Sequence, residues 1–231
     1  MAARRGAADA DPKCLRLSLD TKAGVVLGEF SRRGRARGLQ AVAALDHDLA
    51  VKEKLVPVGI LEVQSGRLDL TFATSRKTSD LVVDCLREWW RRRGPELGHL
   101  EELILHLDNG PESGGRRTQL LARLAAFADA SGLRLRLVYY PPYHSKYNPV
   151  ERCWGALEKH WNGALLRDEA AVLGWARTMT WRGLAPVVRL TRKLYKKGVT
   201  LQGRAKRELE ARLQRSPTLR WWDILIEPQK V

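Results

Sequence analysis

The chain has 231 residues, enough for one large domain or one domain with an appendage, and its 41 Lys and Arg against 26 Asp and Glu leave a net charge of +15. A surplus of that size favours a polyanionic partner, because Lys and Arg neutralise phosphates and release their counterions. No apolar stretch reaches the roughly 18 residues that a membrane-spanning helix needs. Residues 1–12 lack the apolar core of a secretory signal, and Cys14, Cys85 and Cys153 are too scattered for a disulfide framework or a zinc site. These features lead us to expect a soluble cytoplasmic protein with no membrane role.

Residues 1–12 are small, charged and Pro-ended, and read as a disordered tail. From Cys14 to Asp20 the chain alternates with period two, so that Leu15, Leu17 and Leu19 face one side of a strand and Arg16, Ser18 and Asp20 the other. Ala23-Gly24 suggests a hairpin into Val25–Phe30. A charged, irregular stretch follows, then a third strand over Val56–Val63, a turn at Gly66 and an extension over Leu68–Phe72. Leu81, Cys85, Leu86 and Trp89 recur at helical spacing, with Ser79 or Asp80 as caps and Gly94-Pro95 as the stop. Leu103–Leu107 reads as a strand apolar nearly throughout, as in a buried parallel sheet. An amphipathic helix over Arg116–Ala130, a strand over Leu133–Tyr140 and a helix after Asn148 complete the pattern. Asp168–Arg182 looks helical, residues 186–215 are strongly basic, and the tail from Leu219 to Pro228 should dock as a short strand. Most of the eight tryptophans are expected in the core.

The order βββαβαβα predicts a mixed sheet with helices on both faces, which is the order of the ribonuclease H-like α/β fold. The expected organisation is a tail over 1–12, a catalytic domain over 13–165, and a basic, helical C-terminal extension over 166–231 packed on it. In that fold the first and fourth strands are central neighbours, about 4.8 Å apart. Asp20 and Asp108 end those two strands, and Glu151 opens the later helix. Three such acids suit a pair of divalent cations working on a phosphodiester. Each acid also has a plainer reading: Asp20 as a polar strand end, Asp108 as the opener of the turn Asp108-Asn-Gly-Pro111, and Glu151 as part of a capping box begun by Asn148.

Two blocks, Asp108-Asn-Gly-Pro and Tyr140-Pro-Pro-Tyr-His-Ser-Lys-Tyr-Asn-Pro-Val-Glu151-Arg-Cys-Trp154, resemble DDE transposases of insertion sequences. The nearest group is the ISAzo13 type, close to the IS630 and mariner-like enzymes. Leu19-Asp-Thr-Lys22, Trp89-Trp90, Tyr195-Lys-Lys-Gly198 and Trp221-Trp222 extend the resemblance from about residue 14 to about residue 228. Asp-Asn-Gly-Pro-Glu is also similar to retroviral-type integrases. The resemblance implies Asp20, Asp108 and Glu151 as a catalytic, metal-binding triad, with Asp48 and Asp46 ranked below Asp20 as the first acid and His47-Asp48 matching a His-Asp pair of the group. It further implies two Mg²⁺ or Mn²⁺ ions, transposon-end and target DNA as partners, assembly as a homodimer, and association with the nucleoid. Pro111-Glu112 interrupts the Gly-rich run usual after the second Asp. Such enzymes carry a helix-turn-helix DNA-end-binding region before the catalytic domain, and about a dozen residues precede the first strand here, so a catalytic portion alone is expected.

The function expected is metal-dependent DNA cleavage and strand transfer, with Lys22, Lys146, Arg152 and Lys159 holding DNA phosphates. The alternatives are a nuclease of the same fold that does not join ends, and a catalytically inactive transposase remnant that binds DNA.

Overall fold

A computed structural model of the protein describes residues 10–32, 34, 43–45, 53–140 and 147–229. The expectations on residues 1–9, on Asp46, His47 and Asp48, and on Lys146 fall outside them. The fold is a ribonuclease H-like mixed α/β sheet. Strand β1 (Cys14–Thr21) lies at its centre, antiparallel to β3 (Lys54–Glu62) on one side and parallel to β5 (Glu102–Leu107) on the other. Strand β4 (Leu68–Ala73) continues the sheet beyond β3, and β6 (Arg134–Tyr139) beyond β5.

The alternation of β1 divides two apolar layers. Leu15, Leu17 and Leu19 pack with Val58, Ile60, Leu103 and Leu105 under helices α1 (Ser79–Arg93) and α2 (Thr118–Ser131). On the opposite face, Leu61, Leu70 and Phe72 pack under α3 (Pro149–His160) and α4 (Glu169–Thr178). Trp89, Trp154 and Trp161 are buried, as expected of core tryptophans, whereas Trp175 is exposed. Each fully buried large apolar side chain contributes about 1.5–3 kcal/mol.

Three expectations need correction. The segment Val25–Val26 forms β2, but it makes no hairpin with β1: it pairs antiparallel with β3, Val25 opposite Leu55, just as Thr21 stands opposite Val58. Both hydrogen-bonding edges of β1 are already taken by β3 and β5, so residues 22–24 sidestep along β3 instead of reversing. The cap of α1 is Thr78, whose hydroxyl accepts from the Leu81 N–H at 3.2 Å, while Ser79 donates to the Glu112 carbonyl at 2.6 Å. The basic stretch after 186 contains a strand, β7 (Val187–Thr191), parallel to β4.

The C-terminal segment reaches both edges of the sheet. Beyond β7, helix α5 (Gly203–Arg212) leads into β8 (Leu213–Arg215), and β9 (Asp223–Ile226) pairs antiparallel with β6, as the tail's apolar pattern foretold. The full order is β7-β4-β3-β1-β5-β6-β9-β8.

Candidate active site

The register of the central strands places the first two acids. Ser18 of β1 stands opposite His106 of β5, so Asp20 and Asp108, each two residues further, project from the same face at the same end of adjacent strands. This is the face covered by α3, whose first turn carries Glu151.

The start of α3 is fastened to β1. Asn148 occupies the N-cap position and is fully buried, yet its side chain makes no cap hydrogen bond. Its amide donates to the Leu19 carbonyl at 3.1 Å and its carbonyl accepts from the Ser18 hydroxyl. Ser18 in turn accepts from the Val150 N–H at 2.9 Å, so the strand beside Asp20 caps the helix that bears Glu151. The capping-box reading of Asn148 and Glu151 is therefore replaced. Among the described residues, the Glu151 carboxylate has no hydrogen bond or ion pair.

Asp20 is buried, and its Oδ2 accepts from the indole Nε1 of Trp154 at 2.7 Å. Trp154 lies one turn beyond Glu151 and reaches Asp20 across Gly59, the residue paired with Asp20 on β3. A Cβ at Gly59 would stand 2.8 Å from the Trp154 ring and 2.9 Å from a Val150 methyl. A residue with no side chain is what lets α3 settle on the sheet here. Neither Gly59 nor the tie to Trp154 was foreseen from the sequence; a glycine inside an apolar strand was the available signal.

Asp108 is held differently. It follows β5 on a turn, where the Ser113 hydroxyl bonds both its carbonyl and its Oδ1 at 3.0 Å. The Asn109 side chain accepts from the Gly115 N–H at 3.3 Å.

The acids feel one another. Burial, then the charge of Asp108, pushes the Asp20 carboxyl above its ordinary range, against the opposing indole hydrogen bond. Burial, then Asp20 and Asp108, raises Glu151, with Lys22 and Lys77 opposing. Lys77, which the sequence reading passed over, donates to the Thr21 carbonyl at 3.3 Å and lies 3.8 Å from Glu112. Lys22 pairs at 3.0 Å with Glu158, two turns along α3 from Glu151, and Glu158 also accepts from Trp161 at 2.9 Å. Arg152 and Lys159 are exposed on α3. Among the described residues, no three His, Cys, Asp or Glu side chains stand close enough together to hold a metal ion.

The family model described as the Rhodopirellula transposase DDE domain, of the ISAzo13 type, matches residues 3–228. The chain belongs to this family of DDE transposases. No curated protein matches this transposase chain. Among solved structures it is similar to the Mos1 transposase paired-end complex with the left transposon end, at 12% identity and a TM-score of 0.47, over 75% of this chain and 49% of that one. A pre-cleavage Mos1 transpososome is matched over the same shares at 7% identity and a TM-score of 0.47. A simian T-cell lymphotropic virus intasome is matched at 15% identity and a TM-score of 0.39, over 64% of this chain and 39% of that one. The transposase chain thus spans less than half the length of these solved chains. None of its helices, among the described residues, is long and apolar enough to cross a membrane.

Proposed function

We propose that the chain cleaves DNA phosphodiester bonds and joins the freed 3′ ends to target DNA, with Asp20, Asp108 and Glu151 as the catalytic carboxylates. What supports this reading is that Asp20 and Asp108 end adjacent strands and Glu151 opens the helix laid over them, with Asp20 and Glu151 raised in pKa partly by the charge of the other acids. The donor set fits Mg²⁺ or Mn²⁺: all three ligands are hard carboxylate oxygens, and no thiol or histidine is among them. Asp20, Asp108 and Glu151 would hold the ions, two in number. Such a pair, when bound, supplies Lewis-acid activation of an attacking oxygen and neutralises charge on the leaving one.

The residues of the chain prepare the rest. Trp154 fixes the orientation of Asp20, and Ser18 with Asn148 keeps the start of α3 at the strand end. The burial that raises the two carboxyls also strengthens their attraction for a cation. Lys77 and Lys22 moderate the negative field, and the exposed Arg152 and Lys159, together with Lys146, contact DNA phosphates. A homodimer that pairs two DNA ends belongs to this reading.

Incubating the protein with Mg²⁺, labelled transposon-end DNA and a target plasmid tests it. Joined product that vanishes in Asp108→Asn is the expected result. Hydrolysis without joining supports a nuclease instead. DNA binding that survives Asp108→Ala, with no metal-dependent cleavage by the wild type, supports an inactive DNA-binding protein.

A further inference from the structure

Between β7 and α5 the chain passes from α1 to α2 as a strap fixed at both ends. At the first, Tyr195 is buried; its hydroxyl donates to Asp84 of α1 at 3.1 Å and its N–H donates to the Ser75 hydroxyl at 2.9 Å. At the second, the Leu201 N–H donates to the hydroxyl of Thr118, the first residue of α2, at 3.0 Å. Residues 196–200 between them are all exposed. Gly198 turns them with a φ of 76°, and a Cβ there would meet nothing within 4 Å, so the turn itself calls for glycine. The proposed chemistry gives the block Tyr195-Lys-Lys-Gly198 no role.

Under the strap lies a cavity of about 220 Å³, whose charged lining is Lys77, Asp80, Glu112, Arg117, Lys196 and Lys197. Both carboxylates are engaged. Asp80 accepts from Gln119 at 2.9 Å and lies 3.6 Å from Arg123, and Glu112 lies 3.8 Å from Lys77. Arg117, Lys196 and Lys197 are exposed and have no carboxylate partner among the described residues. The hydroxyls of the lining are engaged as well: Ser79 donates to the Glu112 carbonyl at 2.6 Å, and Thr78 accepts from the Leu81 N–H at 3.2 Å. Lys77 links the cavity to the acids. It donates at 3.3 Å to the carbonyl of Thr21, the residue after Asp20, and its charge reaches both Asp20 and Glu151.

We propose that the cavity and the strap over it hold successive backbone phosphates of the target duplex, whatever its sequence. The proposal rests on the cleaving and joining reading above. The free groups here are cations at an exposed rim, which neutralise phosphates and release counterions without reading bases. A defined transposon end needs contacts to base edges, and the amide, hydroxyls and carboxylates of the lining are already tied to neighbours. A target of any sequence needs no such contacts. The position agrees: the strap packs with α1 and α2, on the opposite face of the sheet from α3 with its Arg152 and Lys159. Two duplexes can therefore reach the acids from different sides. Because the strap is fixed at both ends, little chain freedom is lost when DNA arrives.

The test uses the full chain, without metal, and two duplexes of unrelated sequence that contain no transposon end. Affinity is followed by fluorescence anisotropy from about 50 to about 200 mM salt. Removing two phosphate contacts lowers the slope of log affinity against log salt by about 2. Lys196→Ala with Lys197→Ala should therefore lose about tenfold less affinity over that range than the wild type, on both sequences alike. Lys196→Arg with Lys197→Arg should restore the wild-type slope, and Arg117→Ala should lower it by about 1. At the low-salt end the double Ala variant should bind both duplexes at least tenfold more weakly, and a transposon-end duplex at most a few-fold more weakly. Hydrogen exchange of the wild type should show residues 196–200 protected by either duplex, a readout that needs no variant. An unchanged slope, a loss confined to one sequence, an equal loss on the transposon end, or protection that leaves the strap out overturns the proposal. Joining assayed on the wild type with Mg²⁺ keeps the two readings apart. Joining with an unchanged slope in the double Ala variant removes only the strap's role. A lowered slope with no joining by the wild type removes only the chemistry and leaves a sequence-independent DNA site.

Discussion

The two sides of the acidic site are built by different means. Asp20 and Glu151 belong to a core strand and the helix laid on it, joined by buried hydrogen bonds through Ser18, Asn148 and Trp154. Asp108 sits on a turn whose backing is supplied by a segment about a hundred residues downstream, pressed against Gly115. The first side stands or falls with the core. The second depends on a segment that joins the core late in the chain, through Ile224 and Ile226, and presses on the loop that carries the middle acid.

The largest expected effect comes from Asp108→Asn, which should lower metal-dependent cleavage by about 10³-fold or more. It should also raise the thermal midpoint of the metal-free protein by roughly 1–3 °C, since it removes a charge that both other acids resist. The sign follows from the raised carboxyls of Asp20 and Glu151. A folded-state pKa above the unfolded one gives stability that is complete below the unfolded value and is lost as pH rises through the folded value. A midpoint that falls in Asp108→Asn would mean that the acids do not repel.

Next is Gly115→Ala, whose new methyl must displace the Trp221 backbone. We expect a loss of about 1–3 kcal/mol in urea unfolding, with cleavage lost further than stability alone explains. Gly59→Ala puts a methyl into the Trp154 ring and should cost a similar amount. Here hydrogen exchange should rise across the start of α3, not across β9; the reverse pattern would erase the distinction between the two sides. Trp154→Phe is milder. It leaves a buried carboxylate oxygen without its donor, at about 1–3 kcal/mol, and lets Asp20 rise further, so the acid limb of the cleavage profile should move to higher pH.

The smallest effect concerns acid. Burial draws Asp129 on α2 upward, but hydrogen bonds from Arg212 and the Gln229 N–H prevail and hold it below the usual carboxylate range. Its stabilising share is present above the unfolded pKa and fades as pH falls through the folded one. Mild acid should therefore ease the repulsion among the acids while loosening the C-terminal segment, and Asp129→Asn should remove the second trend. Limited proteolysis of that segment across pH 3 to 6 reads this directly.

Much of this was legible in the sequence. Alternation in β1 and the nearly apolar β5 marked the two central strands, and helical spacing marked α1 to α4. The acids stood out because each ends or opens one of these elements. What stayed hidden depends on neighbours distant in sequence. Nothing near Val25 says that both edges of β1 are already occupied. Nothing near Ser18 says that its hydroxyl will cap a helix starting at Pro149. Strand β7 was masked by Arg189 within it and Arg192 after it, and Arg189 finds its partner in Asp69 of β4, far away in sequence. Gly59 and Gly115 matter only for what lands on them.

On the proposed function, Asp20, Asp108 and Glu151 together hold divalent cations. Anomalous diffraction from crystals of the protein soaked in Mn²⁺ tests it most directly. Anomalous peaks bounded by those three carboxylates are the expected result. Peaks that leave any of the three out, or that fall on other acids such as Glu158 while the triad stays empty, would contradict it.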